Sequence, residues 1–244
     1  MSVPSTSKTY FIILYKSIFL TIRNFPAFIL FTIYSLIFYF GCLFYLEKEY
    51  LSSILTFLIF CSCISSTFYI TGKIVKNGIF SFADFIKSFK AYFFRANSVL
   101  IFWFAIFFFI NQFIITPISS VIKDDLLLYF IKVPLILLIF FILNSLPEAI
   151  YSSDDNIESI FMSSVKFMEK HWIVWLIPNI LFLFLLNLFD HRISIMPTLG
   201  SLDSNGILLK IQDMAFYIRS LIFTVLLIFR GLLYSYLTNS QDVK

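Results

Sequence analysis

The chain has 244 residues, of which 60% are hydrophobic and 13% charged, and its mean hydropathy is +0.93. Soluble domains carry about a quarter of their residues as charges, so this composition excludes an ordinary soluble fold and reads as an integral membrane protein. A net charge of +4, scattered over short connections, provides no basic surface for nucleic acid.

A lipid environment leaves backbone amides and carbonyls no water to bond, so the spans must be helices or a closed barrel. The long Phe, Ile and Leu runs lack the alternation of barrel strands, and helices are predicted throughout. Residues 8–24 place Phe11, Leu14, Ile18 and Ile22 at helical spacing, with Lys16, Ser17, Arg23 and Asn24 largely elsewhere around the circumference. That pattern predicts a helix lying in the membrane interface. Phe25 to Tyr45 is nearly chargeless and long enough to cross about 30 Å of hydrocarbon at about 1.5 Å per residue. It is read as span one. A polar turn, Glu47-Lys48-Glu49, leads into span two, Leu51 to Thr71.

The segment from Lys73 to Asn97 predicts a second interfacial helix, with Phe82, Phe85, Ile86, Phe89 and Phe93 on one face and Asp84, Lys87 and Lys90 mainly on the other. Ser81-x-x-Asp84 has the spacing of a capping box. Span three is expected at about 98–121 and span four at about 127–150, with Lys123-Asp124-Asp125 turning between them. The stretch Pro147 to Trp172 interrupts the apolar sequence with ordered carboxylates, hydroxyls and lysines. It predicts a third interfacial helix, with Ile157, Phe161, Val165, Met168 and Trp172 on one stripe and Asp155 as a cap. Span five is expected at about 172–189, the longest outer loop at 190–206 and span six at about 214–237.

The expected fold is therefore an all-α polytopic membrane protein: one domain over 1–244, with six transmembrane helices in three hairpins, each preceded by an amphipathic interfacial helix. Lys16, Arg23, Lys87, Lys90, Arg95, Lys166 and Lys170 are the expected lipid-headgroup contacts. Twelve of the eighteen lysines and arginines fall on their side, which puts both termini in the cytoplasm. The apolar run at 11–14 is interrupted by Lys16 and followed by no small-residue cleavage site, so span one is expected to act as the insertion signal. The segments 8–71, 80–150 and 154–237 share one layout and a loose pattern: Lys16-Ser17-Ile18, Lys87-Ser88-Phe89 and Ser163-Ser164-Val165. Internal repetition builds many multispanning proteins; any basic interfacial helix ahead of a span would also look like this.

A charge within a span costs at least ~2.5–3.5 kcal/mol at the bilayer centre, so intramembrane charges are functional candidates by default. Lys132, Arg219 and Arg230 lie near enough to span ends for their long side chains to snorkel. The sharper hypothesis pairs Glu148 with Arg230, and Lys132 or Arg219 with Asp213, fixing helix register or lining a polar path. Asn111 and Gln112 in span three are candidates for bonds between helices, and Pro117, Pro134 and Pro178 for kinks. Cys42, Cys61 and Cys63 make no CxxC pair and read as small buried hydrophobes. His171 and His191 are expected on opposite sides of the membrane, which leaves no two-histidine metal site and no shared triad. No Walker A or GxGxxG sequence is present, and no cofactor is expected.

Val133-Pro134, the Asp154-Asp155 segment and Ser163-Ser164 followed by Lys170-His171 resemble the layout of the YciC-like group. That layout is shared with the membrane domain found beside some glycerophosphoryl diester phosphodiesterases. YKSIFLTIRNFPAFIL is similar to the group's usual entrance, while Leu135 stands where a glycine usually follows the proline. The resemblance implies a six-span bacterial membrane domain of unsettled role. The expected function is a non-catalytic accessory or membrane-organising component of the bacterial plasma membrane, touching anionic headgroups and a membrane-protein partner that the sequence does not specify, with no enzyme activity. The rival is a transporter of a small or lipidic solute, favoured if span charges and prolines face one central cavity.

Overall fold

The structure is a computed structural model that describes residues 3–46, 50–121, 130, 133–134, 141, 144–152, 156–188 and 214–239. The expected turns at 47–49 and 123–125, most of span four with Lys132, the acids Asp154 and Asp155, the 190–206 connection and Asp213 lie outside the described residues. Among the described residues every regular element is helical. The helices are α1 (Val3–Arg23), α2 (Phe25–Leu46), α3 (Tyr50–Asn77), α4 (Phe82–Ala91), α5 (Phe93–Ile110), α6 (Thr116–Val121), α7 (Leu146–Ser152), α8 (Ile157–Leu188) and α9 (Met214–Asn239). A π-helical turn, Asn111–Ile115, joins α5 to α6.

The axis bends by 86° between Ser7–Arg23 and Phe25–Phe38. Pro26 accounts for the break: its ring is incompatible with a helical carbonyl four residues earlier, and its missing N–H is harmless in the first turn of α2. Asn24 fills the corner. Its side-chain amide donates to the carbonyls of Leu20 (2.8 Å) and Gly78 (3.0 Å), and its Oδ1 accepts from the Phe80 N–H (3.1 Å). Gly78, at φ 77°, closes the end of α3 in the left-handed conformation that glycine adopts without strain. The ends of α1 and α3 and the start of α4 thus meet at one end of the bundle. The expected capping box is present at α4, where Ser81 Oγ accepts from the Asp84 N–H and the Asp84 carboxylate accepts from the Ser81 N–H.

One expectation needs correction. The third interfacial helix and span five are one continuous helix, α8, with Pro178 inside it. No glycine or proline lies between Ile157 and Ile177 to end the helix early, and its 32 residues reach about 48 Å at ~1.5 Å per residue.

Burial shows which face of each helix packs on the protein. On α1 the residues turned into the protein are Ile13, Ser17, Leu20 and Thr21, while Phe11, Ile18 and Ile22 point outward; on α4 Ser88 is fully buried and Phe82 and Ile86 are exposed. On α8 Ile160, Ser164, Phe167, Met168, Trp175, Asn179 and Phe182 are buried, with Val165 and Trp172 outside. Lipid satisfies a phenylalanine as well as a protein core does, so large apolar residues occur on both sides of these helices, and what marks the packed side is a buried serine: Ser17, Ser88 and Ser164.

The buried serines make similar contacts. Ser66 Oγ meets Ser88 Oγ (2.6 Å) while Ser65 Oγ donates to the Ser88 carbonyl (3.0 Å). Ser145 Oγ meets both Ser164 Oγ (2.8 Å) and the Ser164 carbonyl (3.2 Å). Helix α3 packs on α4, α7 on α8, and α9 on α1, so the last helix closes on the first. The core residues Phe31, Ile70, Ile74, Trp175, Ile228, Phe229 and Leu233 lie where α2, α3, α8 and α9 meet.

Candidate functional site: a buried ion pair on the wall of a cavity

The site begins where the turn Asn144-Ser145 enters α7. The Ser145 carbonyl accepts from the Ala149 N–H (3.1 Å), and Pro147 sits in the first turn, where a missing N–H costs nothing. One turn of helix then carries Glu148 toward α9.

Arg230 of α9 meets it as a fork. Nε lies 2.6 Å from Glu148 Oε1 and Nη2 lies 2.8 Å from Oε2. Nη2 also donates to the Asn144 carbonyl, and Nη1 reaches Asn144 Oδ1 (3.3 Å) and Asn179 Oδ1 (3.5 Å). The indole N–H of Trp175 donates to the same Asn144 Oδ1 (2.8 Å), and the guanidinium carbon stands 4.9 Å from the centroid of the Trp175 ring. Only 2% of the Glu148 side chain and 13% of the Arg230 side chain are accessible. A guanidinium has five N–H groups in a rigid fork, and these contacts use all of them. A buried pair on this geometry is a neutral clamp, joining α7 and α9 and, through Asn179, α8.

Below the pair, Tyr151 is inserted between α3 and α9. A Cβ added at Gly72 would lie 3.2 Å from the Tyr151 ring, and one added at Gly231 would lie 2.6 Å from Tyr151 Oη and from Val75. Tyr151 Oη and Thr71 Oγ1 are buried with no hydrogen-bond partner among the described residues.

Above the pair, a cavity of about 510 Å³ lies between α2, α3, α5, α7 and α9. Its walls are mainly apolar, including Phe31, Phe38, Phe68, Leu100, Phe223 and Leu227; Asn144, Glu148 and Arg230 stand at one end.

The other expected site residues do not converge here. Arg219 lies eleven positions before Arg230 on α9, half-buried and away from the cavity wall. Asn111 and Gln112 are exposed among the described residues, at the π-helical turn. Lys16, Arg23, Lys87, Lys90, Lys166 and Lys170 are exposed, and the Arg95 guanidinium stands 5.8 Å from the Tyr92 ring centroid. Asn144, Trp175 and Asn179 were not anticipated from the sequence. For the two asparagines the one signal is a polar amide in an otherwise apolar run, as in Leu143-Asn144 and Pro178-Asn179.

Among the described residues, the helices Leu55–Asn77, Ile157–Leu186 and Phe216–Asn239 are long and apolar enough to cross a membrane. The bent pair α1–α2 makes a fourth if it is counted as one span. These features define an all-helical protein of membrane-like apolarity. The chain matches no family model, no curated protein and no solved structure.

Proposed function

We propose that this is a bacterial plasma-membrane protein without catalysis of its own, an accessory or membrane-organising component whose basic end rests on an anionic leaflet. The observation that carries the reading is the 86° turn from α1 into α2. With α2 upright in the bilayer, α1 lies flat. Its outer surface then presents Phe11, Ile18 and Ile22 to the acyl boundary, with Lys16 and Arg23 beside them at headgroup level. Lys87 and Lys90 on α4 and Lys166 and Lys170 on α8 are exposed in the same manner. Six spans in three hairpins with both termini cytoplasmic belong to this proposal, as does kinship with the YciC-like layout.

A permease is the second reading, supported by Glu148, Arg230 and Pro147 on one cavity wall. It is the weaker one, because the pair is saturated by its own neighbours and Pro117 and Pro134 are exposed.

Each basic side chain at an anionic surface contributes about 1 kcal/mol. In nanodiscs of mixed phosphatidylglycerol and phosphatidylcholine, the protein is expected to enrich the anionic lipid around itself, as read by mass spectrometry of co-purified lipid. The Lys16→Gln/Lys87→Gln/Lys90→Gln variant is expected to lose most of that enrichment. Equal enrichment by the two proteins would sink the proposal.

A further inference from the structure

The cavity above the ion pair has a chemistry that the leaflet proposal does not use. From Phe223 to Arg230 its wall follows eight residues of α9, about 10 Å from first to last at ~1.5 Å per residue. Phenylalanine, leucine and isoleucine side chains dominate that length. Water in such a space would need two to four polar partners, which the apolar part of the wall does not offer. A volume of about 510 Å³ falls within the range of small-molecule sites, roughly 300–1,000 Å³.

The polar end restricts the occupant further. Among the described residues, Glu148 and Arg230 are the charged groups on the wall, and they neutralise each other. All five guanidinium N–H groups are engaged, so Arg230 has no donor left for a phosphate or carboxylate. An anion would have to break the pair, and a cation would face a carboxylate already bound in a fork. Oxygen lone pairs do remain on the wall. Ser35 and Thr67 donate their hydroxyl protons to the Phe31 and Cys63 carbonyls, which leaves each oxygen able to accept. At the ion-pair end, each Glu148 carboxylate oxygen accepts one guanidinium N–H and keeps a further lone pair, so that end suits a neutral hydroxyl donor.

We propose that this cavity binds an uncharged lipid, its hydrocarbon chain along the apolar wall and its hydroxyl-bearing head at the Asn144, Glu148 and Arg230 end. Acylglycerols have this chemistry; phosphatidate, with the same chains and an anionic head, is excluded by the saturated guanidinium.

Trp175 provides the probe, because it is fully buried and its indole donates to Asn144 on the cavity wall. In a Trp103→Phe/Trp172→Phe background, reconstituted protein is titrated with dioleoylglycerol or phosphatidate brominated on the chain. The expected result is saturable quenching of Trp175 by the diacylglycerol, with phosphatidate needing roughly tenfold more. Thr67→Phe, which fills the cavity, abolishes the saturable component; Thr67→Leu, a milder filling, weakens it and serves if the larger side chain prevents folding. Equal quenching by the two lipids, or quenching unaffected by the filling variants, overturns the proposal. Because Lys16, Lys87 and Lys90 are untouched, loss of this binding leaves the anionic-lipid enrichment standing, and the two proposals fail separately.

Discussion

Burying one charge in an apolar bundle is costly, and burying two is tolerated only if they satisfy each other. Glu148 and Arg230 do so through two hydrogen bonds, at 2.6 and 2.8 Å, while Asn144 and Asn179 take the remaining guanidinium protons. Removing either partner leaves the other charged and stranded. Glu148→Ala and Arg230→Ala are each expected to lose about 3–5 kcal/mol of stability. The double variant should cost well below their sum, since the second substitution removes the stranded charge. Reversible unfolding in mixed micelles measures the cycle, and additive losses would show that the two residues do not act as a pair. Arg230→Lys should recover little, because an ammonium keeps the charge and loses the fork that reaches Glu148, Asn144 and Asn179 together.

Helix ends hold this fold together as much as helix faces do, and the α3–α4 corner shows how. Asp84 caps α4, and the Ser81 backbone N–H and hydroxyl hold its carboxyl below the usual carboxylate range, with smaller help from Lys73 (3.7 Å) and Tyr69 (3.4 Å). A carboxyl whose pKa is lowered by folding stabilises the folded state above its unfolded pKa of about 3.9. That contribution is lost as pH falls through the folded value. Amide exchange in α4 should therefore accelerate as pH is lowered below about 4, after correction for intrinsic rates, and Asp84→Asn should exchange fast at neutral pH already. An α4 that stays equally protected in wild type and variant would show that the cap contributes nothing. The capping box was legible because its chemistry is local and its spacing fixed. The packed faces of α1 and α4 were not, because hydrophobic periodicity locates an apolar stripe without saying whether lipid or protein covers it. Ser17, Ser88 and Ser164, read only as a loose pattern, mark the packed side of all three helices. The separate third interfacial helix was misjudged for a related reason: a change from polar to apolar composition at Trp172 ends no helix unless a breaker accompanies it.

At the scale of the whole molecule, α3, α7 and α9 can meet because two of them carry glycine where the third carries tyrosine. The sequence has six glycines and no GxxxG, which suggests no close backbone approach. That motif, however, looks for two glycines on one helix. Gly72 and Gly231 belong to different helices and act on one side chain, a relation invisible until the chain is folded. The ion pair lies one turn before Tyr151 on α7 and one residue before Gly231 on α9, so the fit at Tyr151 also sets the distance across which Glu148 and Arg230 join. In Gly231→Ala the new Cβ would lie 2.6 Å from both Tyr151 Oη and Val75 Cγ2, and something must shift. The expected loss is about 1–3 kcal/mol, the usual cost of overpacking. Gly72→Ala should cost less, since its Cβ meets the Tyr151 ring at 3.2 Å. Tyr151→Phe alone should be neutral or stabilising, because it removes a buried hydroxyl without a partner among the described residues. In the Gly231→Ala background, Tyr151→Phe relieves one of the two collisions and Val75→Ala the other, so the triple variant should melt closer to wild type than Gly231→Ala does. A Gly231→Ala protein that melts like wild type would mean that α9 is free to move away from Tyr151, and with it Arg230 from Glu148.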